Sequence, residues 1–226
     1  MERLPAEVHV PSGRLRIRRW VAADEPALRA AIAASAEHLR PWMVWVKEEP
    51  LSPGARLALI RSWDEAWERG NEAVYGIFRA DDDAGGVVVA GGCGLHRRAD
   101  SRPDVVEIGY WVHADHVRQG IATEAAGALT SAAFALAATT TVEIKHEVAN
   151  TASGRIPDRL GYAFVGTIVD GETVDGAARQ LACWAVSRDA WLRRTAGADL
   201  GYAPGNRATT KMRRNGSRTV PSPRRG

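Results

Sequence analysis

Apolar residues change their spacing repeatedly along the chain, and each change marks an element. In "GRLRIRRWV" (13–21) Leu15 and Ile17 alternate with polar neighbours at period two, which predicts an edge strand with one buried face. From Asp24 the spacing becomes helical. Asp24 stands as the cap, Glu25 and Pro26 fall in the first turn, and Leu28, Ile32 and Leu39 share a face, until Pro41 stops the helix in "RPWMVWV". A second helix is predicted in "LSPGARLALIRSWDEAWERGN", with Ser52 as cap, Pro53 at the first position, Leu57, Ile60 and Trp63 on one face and Gly70 as the stop.

Short apolar runs follow. "EAVYGIFRA" and "GVVVAGGCGL" read as an antiparallel pair joined by "DDDAGG", and "VVEIGYWV" as a further strand after the polar loop "HRRADSRP". "GIATEAAGALTSAAFALAA" is a strong helix former, "TVEIKHEV" a strand and "ASGRIPDRLGY" a short helix ended by Gly161. "AFVGTIVDG" and "ARQLACWAVS" are the closing strands. The order β-α-α-β-β-β-α-β-α-β-β joins an antiparallel meander to a β-α-β crossover. The expected fold class is α/β, with a mixed sheet and helices on both faces.

Charge alters this picture only at one end. Of 30 Lys and Arg and 27 Asp and Glu residues, seven basic residues and Asp199 alone lie in 196–226, so 1–195 holds 23 basic and 26 acidic residues. The expected organisation is one domain over 12–195 and a basic, disordered tail over 196–226, because the tail lacks the apolar surface that would offset the entropy of ordering it. The tail offers a weak electrostatic handle for RNA or another acidic partner. Two cysteines, Cys93 and Cys183, have neither disulfide-framework nor metal-ligand spacing and read as reduced core thiols. No apolar run approaches the roughly 20 residues of a membrane span, and the N-terminus "MERLPAEVHV" has no signal-peptide core, so a cytoplasmic protein with no membrane association is expected. Oligomeric state stays open between monomer and homodimer, with a strand near the C-terminus available for pairing.

The junction "HADHVRQGIATEA" (113–125) carries the first chemical signal. A strand runs into a helix at Gly120, and a helix N-terminus presents unpaired N–H groups and the positive end of its dipole, which suits an anion. The junction has neither GxxxxGK[ST] nor GxGxxG, so nucleotide-triphosphate and Rossmann dinucleotide sites are excluded as readings. A pyrophosphate held by backbone amides remains.

"EIGYWVHADHVRQGIATEA", followed by "NTASGRIPDRLGY", resembles the acetyl-CoA-binding core of the GNAT superfamily of N-acetyltransferases. "EHLRPWMVWV", "EIGYW" and "SRDAW" narrow the resemblance to the RimJ/RimL type, the ribosomal-protein N-terminal acetyltransferases, over about residues 12–192. One position departs from the general pattern: Val117 stands where the superfamily has Gln or Arg three residues before the loop glycine. The resemblance implies a mostly antiparallel sheet in which the fourth and fifth predicted strands splay into a cofactor cleft. It implies acetyl-CoA as co-substrate, no metal, and direct acetyl transfer to a primary amine in a ternary complex. Backbone at Tyr110, Trp111 and Val112 would pair with the pantetheine arm, and Val117, Arg118, Gln119, Gly120, Ile121, Ala122 and Thr123 would hold the pyrophosphate. Asn150 would bond the pantetheine, and Ser153 would lie beside the sulfur as the acid.

Two carboxylates compete for the base. Glu172 falls where RimL-like enzymes place one, and Glu107 where many GNAT enzymes act through an ordered water. Trp42 and Trp45 would wall the acceptor slot, with Trp111 and Trp184 as further candidates, and His146 would stand near the acetyl group. The acceptor is a protein N-terminal amine or a small-molecule or antibiotic amine. A non-catalytic acetyl-CoA-binding module with an RNA-binding tail is the reading from another class.

Overall fold

The computed structural model describes residues 2–80, 87–98, 101–173 and 175–199. Eight strands form one sheet: β1 (Glu7–Val8), β2 (Leu15–Arg19), β3 (Glu72–Arg79), β4 (Val89–His96), β5 (Val105–Val112), β6 (Thr141–Glu147), β7 (Ala163–Glu172) and β8 (Ala178–Ser187). Their spatial order is β1-β2-β3-β4-β5-β6-β8-β7. Neighbours are antiparallel except β5 and β6, which run parallel because α3 (Ile121–Ala135) crosses over between them. The remaining helices are α1 (Glu25–Leu39), α2 (Pro53–Glu68), α4 (Thr151–Leu160) and α5 (Arg188–Asp199). The expected mixed, mostly antiparallel α/β fold is the one observed.

Helices cover both faces because each face of the sheet is apolar. Ile121, Ala125, Leu129 and Ala133 of α3 pack on Tyr75, Ile77, Leu95 and Ile108 in one core. Leu28 and Ile32 of α1 and Ile60 of α2 pack with Trp20, Phe78 and Trp111 in the other. Ser52 caps α2 as its sequence implies, accepting from Ala55 N at 3.2 Å. Asp24 does not cap α1 with its side chain. Its carboxylate is taken by a bidentate pair with Arg18 at 2.6 and 2.9 Å and by the Val21 N–H at 2.9 Å, which together close a short 3-10 turn ahead of the helix.

Two elements go beyond those expected, β1 and α5. The latter has little apolar periodicity and is fixed from outside itself. Trp191 is buried and donates from Nε1 to Ser131 Oγ of α3 at 3.1 Å. Arg188 donates to the carbonyls of Phe134 at 2.6 Å and Leu136 at 2.6 Å, which the C-terminus of α3 leaves without helical partners. The helix continues to Asp199, past the expected boundary at 195; the rest of the basic tail and the "DDDAGG" segment lie outside the described residues. Cys93 and Cys183 are both buried and free. Among the described residues no helix is long and apolar enough to cross a membrane.

Leu129 is fully buried where α3 meets the sheet. Leu129→Ala is expected to cost about 2–5 kcal/mol, seen as a lower urea midpoint with an unchanged m value.

Candidate active site

The parallel pair stops early. Val105–Ile108 align with Thr141–Ile144, and beyond that point the two strands part company. β5 stays bonded to β4 as far as Val112, opposite Gly91, while β6 stays bonded to β8 as far as Glu147, opposite Leu181. Between them opens a V whose arms, 109–112 and 145–147, face each other with inner backbone edges that no strand pairs. An extended chain laid in the opening can accept and donate along those edges. Tyr110, Trp111 and Val112 stand on one arm, where the sequence put them.

At the end of β5 the chain turns into α3. Val117 is extended, Arg118 takes a left-handed φ of 60° and Gly120 one of 79° as the residue before the helix. Two left-handed residues so close curl the backbone around its own amides, and Gly120 supplies no side-chain cap for the first turn. Glu124 N is the first helical amide to find an acceptor, Gly120 O at 3.0 Å, which leaves the N–H groups of Ile121, Ala122 and Thr123 for an anion. The loop is braced from behind. Arg14 donates to Gln119 O at 3.0 Å and pairs with Glu124 at 2.5 Å, and the Gln119 side chain bonds Asp115 O at 3.2 Å and Arg79 at 3.2 Å. Gln119 is therefore spent on the loop, whereas Arg118 is exposed. Val117 brings no charge to the loop, and Arg118 does.

On the face toward α1 and α2 the floor is built from glycines. A Cβ at Gly92 would stand 2.4 Å from Trp111 Nε1, and one at Gly94 would stand 2.6 Å from His96 Nε2. Glycine at both positions lets the two rings lie flat on the sheet. The register sets Glu72 of β3 opposite His96 of β4, and His96 opposite Glu107 of β5. Glu107 is held on two sides, by Arg98 at 2.8 Å and by Lys145 of β6 at 2.9 Å. Burial works to raise its pKa, but the bonds and charges of Arg98 and Lys145 outweigh it and hold the carboxylate below its ordinary range. Such a carboxylate is a weak proton acceptor.

On the other arm Asn150 caps α4, its side chain accepting from Ser153 N at 3.1 Å. The Ser153 hydroxyl lies 3.1 Å from the Tyr110 hydroxyl, across the opening. Pro157 lies inside α4 and has no N–H to bond the Ser153 carbonyl one turn back; Tyr110 Oη approaches that carbonyl to 3.4 Å instead. Burial pushes the Tyr110 phenol up to about 12, with the bond to Ser153 opposing it, so it stays protonated at neutral pH. His146 is tied at both nitrogens. Trp184 Nε1 donates to its Nε2 at 3.0 Å, so Nδ1 carries the hydrogen and donates to Glu147 O at 2.8 Å. With neither nitrogen free, His146 is structural.

A cavity of about 630 Å³ gathers these parts, reaching from Trp42, Trp45 and Trp111 through the opening to Tyr110, Asn150 and Ser153. Trp45 meets Trp111 edge to face at 6.3 Å. Glu49 and Arg56 form a buried ion pair at 2.5 Å in its wall, a pair sequence patterning does not single out. Glu172 is exposed at the end of β7, opposite Ala178, and is not among the cavity's lining residues, nor is Trp184.

The model of the "Acetyltransferase (GNAT) domain" family matches residues 14–163. The chain belongs to this GNAT acetyltransferase family. YdaF of Bacillus subtilis (strain 168), provisionally named a ribosomal N-acetyltransferase, is 24% identical over 168 residues, which are 74% of this chain and 88% of YdaF. The fold is shared with RimL, the ribosomal L7/L12 alpha-N-protein acetyltransferase solved with coenzyme A (TM-score 0.69, 21% identity, 84% of this chain and 99% of that one). It is shared too with the microcin C7 self-immunity acetyltransferase MccE, solved with acetyl-CoA and AMP (TM-score 0.68, 17% identity, 77% of this chain and 92% of that one). The protein is an acetyl-CoA-dependent N-acetyltransferase. Unpaired strand edges and a curled amide loop at the opening suit an acetyl-CoA whose pantetheine lies as an extended arm.

The left-handed φ of 79° at Gly120 is one that side chains disfavour. Gly120→Val is expected to swing the amides at 120–123 out of line and weaken acetyl-CoA binding about tenfold, on the 1–3 kcal/mol scale of such strain, as read by calorimetric titration.

Proposed function

We propose that this acetyltransferase modifies the α-amino group of a protein N-terminus, with a ribosomal protein as the class of substrate. The observation that carries the reading is one continuous cavity lined at once by Trp42 and the exposed Trp45 and by Tyr110 and Ser153, so that the first residues of a peptide and an acetyl group can share it. The names borne by YdaF and RimL support it. Such an acceptor places the enzyme in the cytoplasm.

Chemistry follows from the arms of the opening. The N–H groups of 121–123 hold the pyrophosphate, and the free edge at 109–112 holds the pantetheine. An N–H on that edge faces the thioester oxygen and stabilises the charge it gains as the amine nitrogen attacks. The carbon–sulfur bond then breaks, and the Ser153 hydroxyl gives its proton to the departing thiolate. Tyr110, 3.1 Å behind it, can replace that proton. A protonated amine loses two protons in all: one ends on sulfur, and the other leaves through a base before attack.

Incubation with acetyl-CoA and a panel of acceptors, reading free thiol and product mass, tests the acceptor class. Peptides bearing a free N-terminus are expected to turn over and N-terminally blocked ones to fail. Turnover confined to small amines would favour a small-molecule or antibiotic acceptor; acetyl-CoA binding with no thiol release for any acceptor would favour a non-catalytic binding module. Ser153→Ala is expected to lower kcat about 100-fold while acetyl-CoA affinity changes less than threefold, since it removes a proton donor and not the amide cradle.

A further inference from the structure

A base for the acceptor amine is missing from the roles assigned so far. Glu107 is locked between two cations, Glu172 stands off the cavity, and His146 has both nitrogens engaged. We propose that His96 is that base, and that Glu72 positions it. This rests on the acyl-transfer reading of the site but not on which amine is the acceptor.

Three observations converge on His96. Its ring lies on the cavity floor over Gly94 and Gly109, with Nε2 3.5 Å from where a Cβ on Gly109 would be. Gly109 is the first residue of β5 beyond the parallel pairing, so Nε2 stands at the mouth of the opening, on the face where an acceptor enters. The second is orientation. Nδ1 lies 2.6 Å from Glu72 Oε1, an ion-pair contact whose negative charge favours the proton on Nδ1 and so leaves the lone pair on Nε2. The bond to His96 is the largest influence on Glu72, and it holds the carboxylate below its ordinary range and therefore charged. The third is enclosure. The His96 side chain is only 15% exposed, so water competes weakly for Nε2 while the cavity side stays open.

The proton count closes with this assignment. Nε2 takes one proton from the incoming ammonium, directly or through a single water, and the free amine attacks the thioester carbon. The second nitrogen proton compensates the one that Ser153 gives to sulfur, and the imidazolium returns its own to solvent, so each turnover releases one proton. Glu72 on β3 stabilises the transient imidazolium. Glu107 on β5 also lies beside it, but its charge is already matched by Arg98 and by Lys145 on β6. Across the cavity Arg56 is paired with Glu49, Glu48 is exposed, and α1 presents only Leu28 and Ile32. Glu72 is thus the one carboxylate committed to the ring.

His96→Gln, Glu72→Gln and Gly94→Ala, assayed across pH 6–10 with whichever amine the acceptor screen identifies, test the assignment. His96→Gln is expected to lower kcat/KM roughly 10²–10⁴-fold near neutrality. Its activity should climb toward wild type at high pH, where the amine deprotonates unaided, and acetyl-CoA affinity should stay within twofold. Glu72→Gln should lower kcat more than it raises KM, because the ring loses the carboxylate that orients it. Gly94→Ala, whose methyl would crowd Nε2, should lower kcat with acetyl-CoA affinity retained. If His96→Gln keeps turnover within threefold of wild type at neutral pH, or loses acetyl-CoA binding in proportion to turnover, the assignment is wrong. An enzyme that acetylates small amines instead of peptides would overturn the acceptor reading and leave this one standing.

Discussion

The site exists because two parallel strands are each held more firmly by their outer neighbours than by each other. β5 and β6 share only Val105–Ile108 and Thr141–Ile144, whereas β4 and β8 grip them to their ends. Closing the V would mean tearing β5 from β4 or β6 from β8, exchanging a formed ladder for another of similar worth. The opening is therefore rigid without any dedicated brace. Its inner edges are backbone donors and acceptors that want partners, and leaving such groups buried and unpaired costs about 1–3 kcal/mol each. A ligand with an extended, amide-bearing arm meets that demand.

Around this opening the two faces of the sheet divide the work. On the α3 and α4 face, Ile108, Tyr110 and Val112 alternate toward the larger core and toward Ser153. On the other face Gly109 and Trp111 line the acceptor cavity, and Glu107 of the same alternation is paired with Arg98 and Lys145, which line it too. Gly92 and Gly94 of "AGGCGLH" serve the second face. They weaken the strand's own packing but let Trp111 and His96 lie flat, so the floor is made of ring atoms instead of methyls. In the row across β3 to β6, Glu72 lies against the His96 ring and Glu107 is matched by Arg98 and Lys145, which is what allows these groups beneath an otherwise apolar cavity.

How much of this could be read from the chain varies with how local the cause is. The helices of Ser52 and Gly120, the meander and the crossover were legible because period, caps and glycines act within a few residues. The glycine-opened start of α3 was legible because strand, loop and helix follow one another there in the chain, whereas Ser153, on the separate path from β6 into α4, was singled out only by the family resemblance. α5 was not, since Arg188 and Trp191 hold it against α3, more than fifty residues away in the chain. The same holds for the groups that could move the amine's proton. Whether Glu107 or His96 is free depends on Arg98, Lys145 and Glu72, which meet them only through sheet register. Period alone places a glutamate on a face; it does not say that two cations already occupy it. One signal was present and unused: three glycines within "AGGCGLH" mark a strand over which something bulky must pass closely.

The concentration of function at this one place also has an electrostatic reason. β5 and β6 are the sheet's parallel pair, so their carboxyl ends point the same way, and each runs directly toward a helix, α3 from Gly120 and α4 from Asn150. Two helix N-termini with their positive dipole ends are thereby brought to one edge of one opening, an arrangement that antiparallel neighbours would place at opposite edges. Negative charge is then favoured at two points on one path, beside the start of α3 and beside the start of α4. Asn150 spends its side chain on Ser153 N and so leaves the Ser153 hydroxyl for Tyr110. Pro157 takes the next step by freeing the Ser153 carbonyl for Tyr110, which keeps the phenol pinned against the helix and aimed into the opening.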